Sequence, residues 1–407
     1  MSRNAVLFVA ISVLSGFGSS AMALVAGIWI LDLTGSPARA GLAGLCVYAP
    51  ALAGPWLGAL LDRLPRRPLL IGTDLALAAA LLTLVTVRSA GQAWLIYAVS
   101  LGYGLSYLLL DAGESALLPA ALPPDRLGDV NGWRSSAQEG MKLVAPLAGA
   151  GLYAWHGGAA VAVLSALMPL TTVVLYALLR LTAVPSRPGA GDRGLRAGFD
   201  VLRRTRALRR TVALAGIAIG MSGFTSAPLY AVVVDDMALP STFLGVLLSA
   251  QGAGSIMAGL AAGRLIAARG ELAAGVAGTV LFAAGTLCRC LPWWPAMIAG
   301  AVLSGIGLPW TLIAAVTAVQ ARTPDHLLGR VSATATTAMF GPVALTNPLG
   351  SAAVHAGGRP AMIAAAVVCL TSAAAALRPG RQNSRPSTPD STRMTTPIAT
   401  NTSGTSQ

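Results

Sequence analysis

The sequence predicts an all-α membrane protein with about twelve transmembrane helices arranged as two six-helix bundles. Three observations predict it. Only 11% of the 407 residues are charged, and 55% are hydrophobic. A soluble domain carries about 25% charged residues, so this composition suits a surface facing lipid. Apolar runs of about 20 residues, enough to cross the hydrocarbon core, recur along most of the chain. Arginines gather in alternate connections, as the inner loops of a membrane protein require.

The predicted spans, in order, are 5–31, 40–61, 68–88, 94–118, 132–155 and 160–181, then 211–234, 243–268, 273–290, 295–320, 332–355 and 359–377. The first could be mistaken for a cleaved leader, because Ser19 to Ala23 resemble a peptidase site. Its apolar run continues through Leu31, longer than a leader core of about 7–15 residues, so it reads as an uncleaved helix. Small residues form stripes on two spans: Gly16, Ser20, Ala23 and Gly27 on the first, and Gly245, Ser249, Gly252, Gly259 and Gly263 on the eighth. Such stripes predict close helix packing.

Placing the N-terminus in the cytoplasm puts most arginines inside. Arg3, Arg63, Arg66, Arg67, Arg126, Arg134, Arg264, Arg269, Arg322, Arg330 and the segments near 180–210 and 378–393 fall there; Arg39, Arg88, Arg289 and Arg359 fall outside. Both termini are then cytoplasmic, and the setting is a bacterial plasma (inner) membrane. The same asymmetry accounts for the net charge of +13, so no nucleic-acid partner is implied. Lys142, the single lysine, is left within the membrane.

Four segments follow. Residues 1–182 form the N-terminal bundle, 183–210 a basic cytoplasmic linker, 211–378 the C-terminal bundle, and 379–407 a disordered cytoplasmic tail. The linker arginines suit either anionic lipid head groups or plain solvation. The tail is rich in Ser, Thr and Pro and too poor in apolar residues to order itself. A weak internal repeat relates the halves. Pro124-Asp125-Arg126-Leu127 precedes a span with Pro146 and Gly149, and Pro324-Asp325-His326-Leu327 precedes one with Pro348 and Gly350. Parallel repeats of this kind are a known transporter construction. Cys46, Cys288, Cys290 and Cys369 lie in or beside apolar runs and read as packing residues, with neither a disulfide framework nor a zinc spacing.

Between the second and third spans stands Gly58-Ala59-Leu60-Leu61-Asp62-Arg63-Leu64-Pro65-Arg66-Arg67. This resembles the loop signature of the major facilitator superfamily, with Pro65 replacing its usual Gly. Asp32-Leu33-Thr34-Gly35-Ser36-Pro37 and the Pro-Asp-x-Leu loops resemble a drug-, siderophore- and macrolide-exporting branch. The resemblance implies a gating loop built on Gly58, Asp62, Arg63, Arg66 and Arg67. An acid at the end of its own helix is unfavourable for that helix's dipole but favourable against the start of another. The resemblance supplies that other helix, the eleventh, beginning near Val331. Asp62 is expected to latch the halves on the inner side, the arginines anchoring the loop or only enforcing topology.

Ionised groups within the membrane are costly and mark pathways or partners. Lys142 and Glu139 share a face of the fifth span, which Pro146 and Gly149 continue in a degraded form of the branch's antiporter motif. They either border the substrate or proton path or form a self-satisfied pair. Asp111 and Glu114 share a face of the fourth span. Asp111 is the first choice for carrying a proton, although pairing with Lys142 is the alternative. Asp74 is expected to pair with the loop arginines, Asp32 to be hydrated at the outer face, and Asp235 and Asp236 to lie in an outer loop. Gln251, Gln320, Trp310 and Asn347 are possible cavity groups. Ala98 stands where drug–proton antiporters of the family often carry Arg, which leaves the coupling ion and direction open.

The expected function is secondary active transport by alternating access, as proton-coupled efflux of a small amphipathic drug, siderophore or secondary metabolite. The expected partners are that small molecule, protons and membrane lipid, in a monomer. No cofactor is expected beyond the proton gradient, and the sequence shows no metal cluster, nucleophile–base set or phosphate-binding loop. The alternatives are an uptake permease of the same fold and a receptor or scaffold that has lost transport.

Overall fold

The structure is a computed structural model that describes residues 2–50, 65–123, 126–180, 202–203, 205–323 and 325–378. All regular structure among them is helical. Helix α1 spans Arg3–Thr34. Ser2 caps its start by accepting the Ala5 N–H (3.3 Å). Its end is set by Gly35, at φ 64°, whose N–H reaches the Leu31 carbonyl (2.7 Å). A left-handed glycine just past the last turn is the usual stop signal. Ser36 then caps α2, Pro37–Tyr48, with Pro37 in the first turn, where its missing N–H costs nothing. The Asp32–Pro37 stretch is therefore a tight reversal between antiparallel helices.

Helix α3 spans Arg66–Thr83, and α4 spans Ala93–Ala121. Helix α5 runs from Leu127 to Leu178, 52 residues. At about 1.5 Å per residue that is more than twice the hydrocarbon thickness. The chain reverses within it at Gly157, where φ 74° and ψ −178° favour glycine. Helix α6 (Arg206–Phe224) continues through α7 (Ser226–Ala231) into a wider turn at Val232–Asp236, with a bend of 42°. Helix α8 (Phe243–Cys288) is likewise two rods, joined at Gly270 (φ 79°). Helices α9 (Trp294–Arg322), α10 (Asp325–Ala353) and α11 (Gly358–Leu377) complete the described helices.

Among the described residues, seven helices are long and apolar enough to span a bilayer, or eight if the bent α6–α7 pair counts as one. With α5 and α8 each doubled, and α2 and α10 beside them, the described helices are consistent with twelve crossings. Helices α5 and α10 begin at Leu127 and Asp325, earlier than the predicted 132 and 332. Hydropathy marks only the apolar part of a helix, and polar residues extend both into their first turns.

Helices α1–α5 pack on one another, and α6–α11 do the same. Clusters around Phe8, Leu70 and Tyr176, and around Trp29, Leu81 and Ile96, belong to the first set. Those around Leu208 and Val331, and around Phe282 and Cys369, belong to the second. One further cluster joins both sets through Leu24, Ile28, Leu31, Tyr230, Leu244 and Leu247. The internal repeat is visible in packing. Gly149 of α5 faces Ala21 of α1, where a β-carbon would be tight at 3.1 Å, and Gly350 of α10 faces the Phe224 carbonyl of α6, too close at 1.9 Å for a larger residue. Of the predicted linker only 202–203 and 205–210 are described, and the predicted tail lies outside the described residues.

The ends of the helices sort into two sides. Helix α1 runs from Arg3 to the Asp32 end. Ser241, just before α8, bonds Asp32, so α8 starts there and reaches Gly270 at the Arg3 end. The Arg210 guanidinium donates to the Arg378 carbonyl (2.6 Å), joining the start of α6 to the end of α11. Ala227, beyond the other end of α6, lies against Gly41 beside the Asp32 end. Arg3 and Arg378 thus stand at the same end of the bundle.

Candidate transport cavity

The two sets of helices are sealed together at the Asp32 end. Asp32 accepts hydrogen bonds from Tyr153 (2.8 Å) on Oδ2 and from Ser241 (3.1 Å) on Oδ1. The Tyr230 hydroxyl of α7 lies over Gly27, where an added β-carbon would stand only 2.0 Å from it. Ala227 presses on Gly41 in the same way, at 2.3 Å. No side chain larger than hydrogen fits at these two α1 and α2 positions while the contact is held.

Below this seal the helices part. On α8, Gly245 would bring a β-carbon 2.5 Å from Ala150 of α5, and Gly252 one 2.7 Å from the Lys142 carbonyl. Seven residues on, Gly259 keeps the same helix face, yet nothing lies within 4 Å of such a carbon, nor at Gly263. The predicted stripe on α8 therefore packs over its first half only. A short-residue face shows where contact is possible, and the tilt of the two halves decides where it happens.

Between the halves lies a cavity of about 380 Å³, lined among others by Ser20, Tyr48, Lys142, Ser222, Gln251, Arg289 and Asn347. A second cavity of about 200 Å³ adjoins it inside the first set of helices, sharing Ser20 and Lys142. Its walls carry Asp74, Asp111, Glu114 and Glu139, with Tyr103 and Tyr107. Glu114 is buried, at 6% exposure. It forms an ion pair with Arg134 and accepts the Tyr176 hydroxyl. Arg134 also donates to Ser12 (3.1 Å) and covers the Phe8 ring. Asp74, at 2% exposure, accepts the Thr172 hydroxyl. Lys142 and Glu139 pair at 2.5 Å with side chains 54% and 42% exposed. Among the described residues no group of three or more His, Cys, Asp or Glu could hold a metal ion.

The Major Facilitator Superfamily model matches residues 6–234 and 212–403. The chain belongs to this superfamily. Among curated proteins it is similar to the macrolide efflux protein A of Streptococcus pyogenes, 30% identical over 190 residues, covering 44% of this chain and 46% of that one. A protein of the same name from Enterococcus faecalis is 30% identical over 173 residues, covering 41% and 53%. The chain thus spans about half the length of the curated relatives it matches. Solved structures share the fold. A bacterial homologue of the iron transporter ferroportin, inward-facing, gives a TM-score of 0.67 at 18% identity, over 93% of this chain and all of that one. The nucleoside transporter NupG gives 0.72 at 12%, over 92% and 98%.

In this Major Facilitator Superfamily transporter, a multi-pass membrane protein, the predicted site residues divide. Gly58, Asp62 and Arg63 lie outside the described residues. Pro65 precedes α3 and gives its carbonyl to the Leu69 N–H (3.1 Å). Arg66 opens that helix, and Arg67 donates to the Ala177 carbonyl. Asp111, Glu114, Glu139 and Lys142 meet around the smaller cavity, and Pro146 lines the larger one. Gly149 faces α1 instead.

For four residues the structure adds surroundings that the sequence does not supply. Arg134, at the inner end of its span, is a buried partner of Glu114. Asp74 accepts the hydroxyl of Thr172 on the facing helix. Asp32 is a junction between the halves. Arg289, read as an outer charge, is 4% exposed and lines the cavity. The Trp310 indole donates to the Ala258 carbonyl (3.1 Å), a packing role, while Gln251 and Asn347 do line the cavity.

Proposed function

We propose that this transporter exports a small amphipathic compound by alternating access, driven by protons that bind in the smaller cavity. The observation that carries the reading is the pair of adjoining cavities: a larger one between the halves, and an acidic one beside it that meets the first at Lys142 and Ser20. Two curated relatives named for macrolide efflux support the export direction. Arginine placement supports cytoplasmic termini in a bacterial inner membrane. With the Asp32 end then outside, the arrangement described above is shut outward and parted inward.

Asp111 is the proton carrier in this reading. Its carboxylate lines the acidic cavity and, unlike that of Glu114, has no ion-pair partner among the described residues. Proton binding there biases the two conformations only through a difference in affinity between them. Asp62 closes the inner side when the transporter faces outward. The substrate is a compound that fits the central cavity, and the protein works as a monomer.

The test is accumulation of a panel of acidic, neutral and basic amphiphiles, macrolides among the last, in an efflux-deficient bacterial host with and without an uncoupler. Expression should lower accumulation of at least one compound, and the uncoupler should abolish the difference. Asp111→Asn should leave the protein in the membrane and remove uncoupler-sensitive export. Export by that variant at the wild-type level would defeat the coupling assignment. Uncoupler-sensitive uptake would defeat the direction.

A further inference from the structure

The central cavity carries an uneven charge. Of the described residues lining it, Lys142 and Arg289 are cationic, and none is an Asp or Glu. The carboxylates stand in the neighbouring cavity. Glu139 already answers Lys142. Arg289 has no such answer. No carboxylate among the described residues pairs with it, and its one described hydrogen bond runs from a terminal nitrogen to Gln251 Oε1 (3.0 Å). Its Nε is buried without a partner.

A buried cation lacking a counter-charge is strongly unfavourable. The fold nevertheless accommodates this one. A β-carbon added at Gly300 would lie 2.4 Å from the Gly285 carbonyl and 3.0 Å from Arg289 Cγ, so the glycine lets the helices close up beside the arginine stem. A guanidinium presents five donors in a planar fork that matches a carboxylate. A cationic amphiphile would meet like charge here, whereas an acid would complete the site.

We propose that Arg289, held by Gln251, is the subsite for a carboxylate on the transported compound. It rests on the reading of this cavity as the substrate path and narrows amphipathic compounds to amphipathic acids. The arginine is a binding residue on the C-terminal half, so an acid bound to it reports the position of that half.

The test is fluorescence titration of the purified full chain in detergent with 9-anthracenecarboxylate and with its methyl ester, empty micelles subtracted. The wild type should bind the acid about tenfold more tightly than the ester, as charge-assisted pairing predicts. Arg289→Gln should lose the preference, and Arg289→Lys should keep part of it. Gln251→Glu keeps the size of its side chain and places a carboxylate on Arg289, so it too should lose the preference while remaining folded. Equal wild-type affinities, or an undiminished preference in either Arg289→Gln or Gln251→Glu, would overturn the subsite. Acid preference in a protein that exports nothing strikes the export reading alone. Export without acid preference strikes the subsite alone.

Discussion

Asp32 and Ser241, 209 residues apart in the chain, are joined by a hydrogen bond of 3.1 Å. Together with Tyr153 they tie the end of α1 to the segment before α8. Each bond to a partly exposed carboxylate is worth about 1 kcal/mol. Only the Ser241 bond crosses between the halves, so Asp32→Ala should raise the population open at that end roughly fivefold. Labelling of a cysteine at Ala23, a cavity-lining position, by an impermeant maleimide in a background without the native cysteines measures this. Unchanged labelling would show that the bonds do not hold the seal.

Gly27 and Gly245 are steric determinants of the same seal. A methyl group at Gly27 meets the Tyr230 hydroxyl, and one at Gly245 meets Ala150. Overpacking a fitted contact costs about 1–3 kcal/mol. Gly27→Val and Gly245→Val should lower the thermal midpoint in detergent and raise the same labelling. Gly259→Val, where nothing lies within 4 Å, should do neither.

Glu114 and Asp111 should respond differently to the same change. Glu114 is buried against Arg134 and Tyr176. Removing one member of a buried ion pair costs about 3–5 kcal/mol. Glu114→Gln should destabilise the protein by an amount of that order, and Arg134→Met added to it should recover part. Asp111→Asn should leave the midpoint within a few degrees. Thermal scans in detergent on the four proteins separate a structural acid from a transporting one.

Glu271 follows the break at Gly270 and stands at the turn outside the hydrocarbon. Its own backbone N–H and the Arg322 guanidinium (2.9 Å) hold its carboxyl below the ordinary value of 4.5. A depressed folded-state pKa gives stability that is present above the unfolded value and lost as pH falls through the folded one. The pair is partly exposed, so the effect is under about 1 kcal/mol. Arg322→Gln should lower the midpoint slightly and evenly between about pH 6 and 8. The gap to wild type should close below pH 4.5. A gap that persists in acid would exclude the pairing as its cause.

Much of the architecture was legible in the sequence because lipid imposes it. Apolar length predicts the helices. The Pro and Gly positions of the repeat mark α5 and α10, each packed on the first helix of its half. The candidate site was legible as composition and not as geometry. Glu139 and Lys142 show themselves as a pair by spacing alone. Arg134 and Glu114 do not, because their side chains come from different helices and hydropathy carries no record of a partner. Arg289 follows an apolar run, so its position in sequence says outer loop. Only the direction of its stem, over Gly300, turns it inward. Asp32 is exposed at its helix end, as its polarity suggests, and only the bond from Ser241 reveals that it also joins the halves.

The contact of Gly252 with the Lys142 carbonyl has a mechanical consequence. It lies between the seal and the separated ends, where α5 and α8 meet backbone to side. If the halves rock against each other as proposed, a pivot at this contact would swing the far ends through long arcs and move the lysine hardly at all. The ammonium and its Glu139 partner would then stand at the still point of a lever, at the wall where the two cavities join. A charge placed there would keep its surroundings while access changed sides around it.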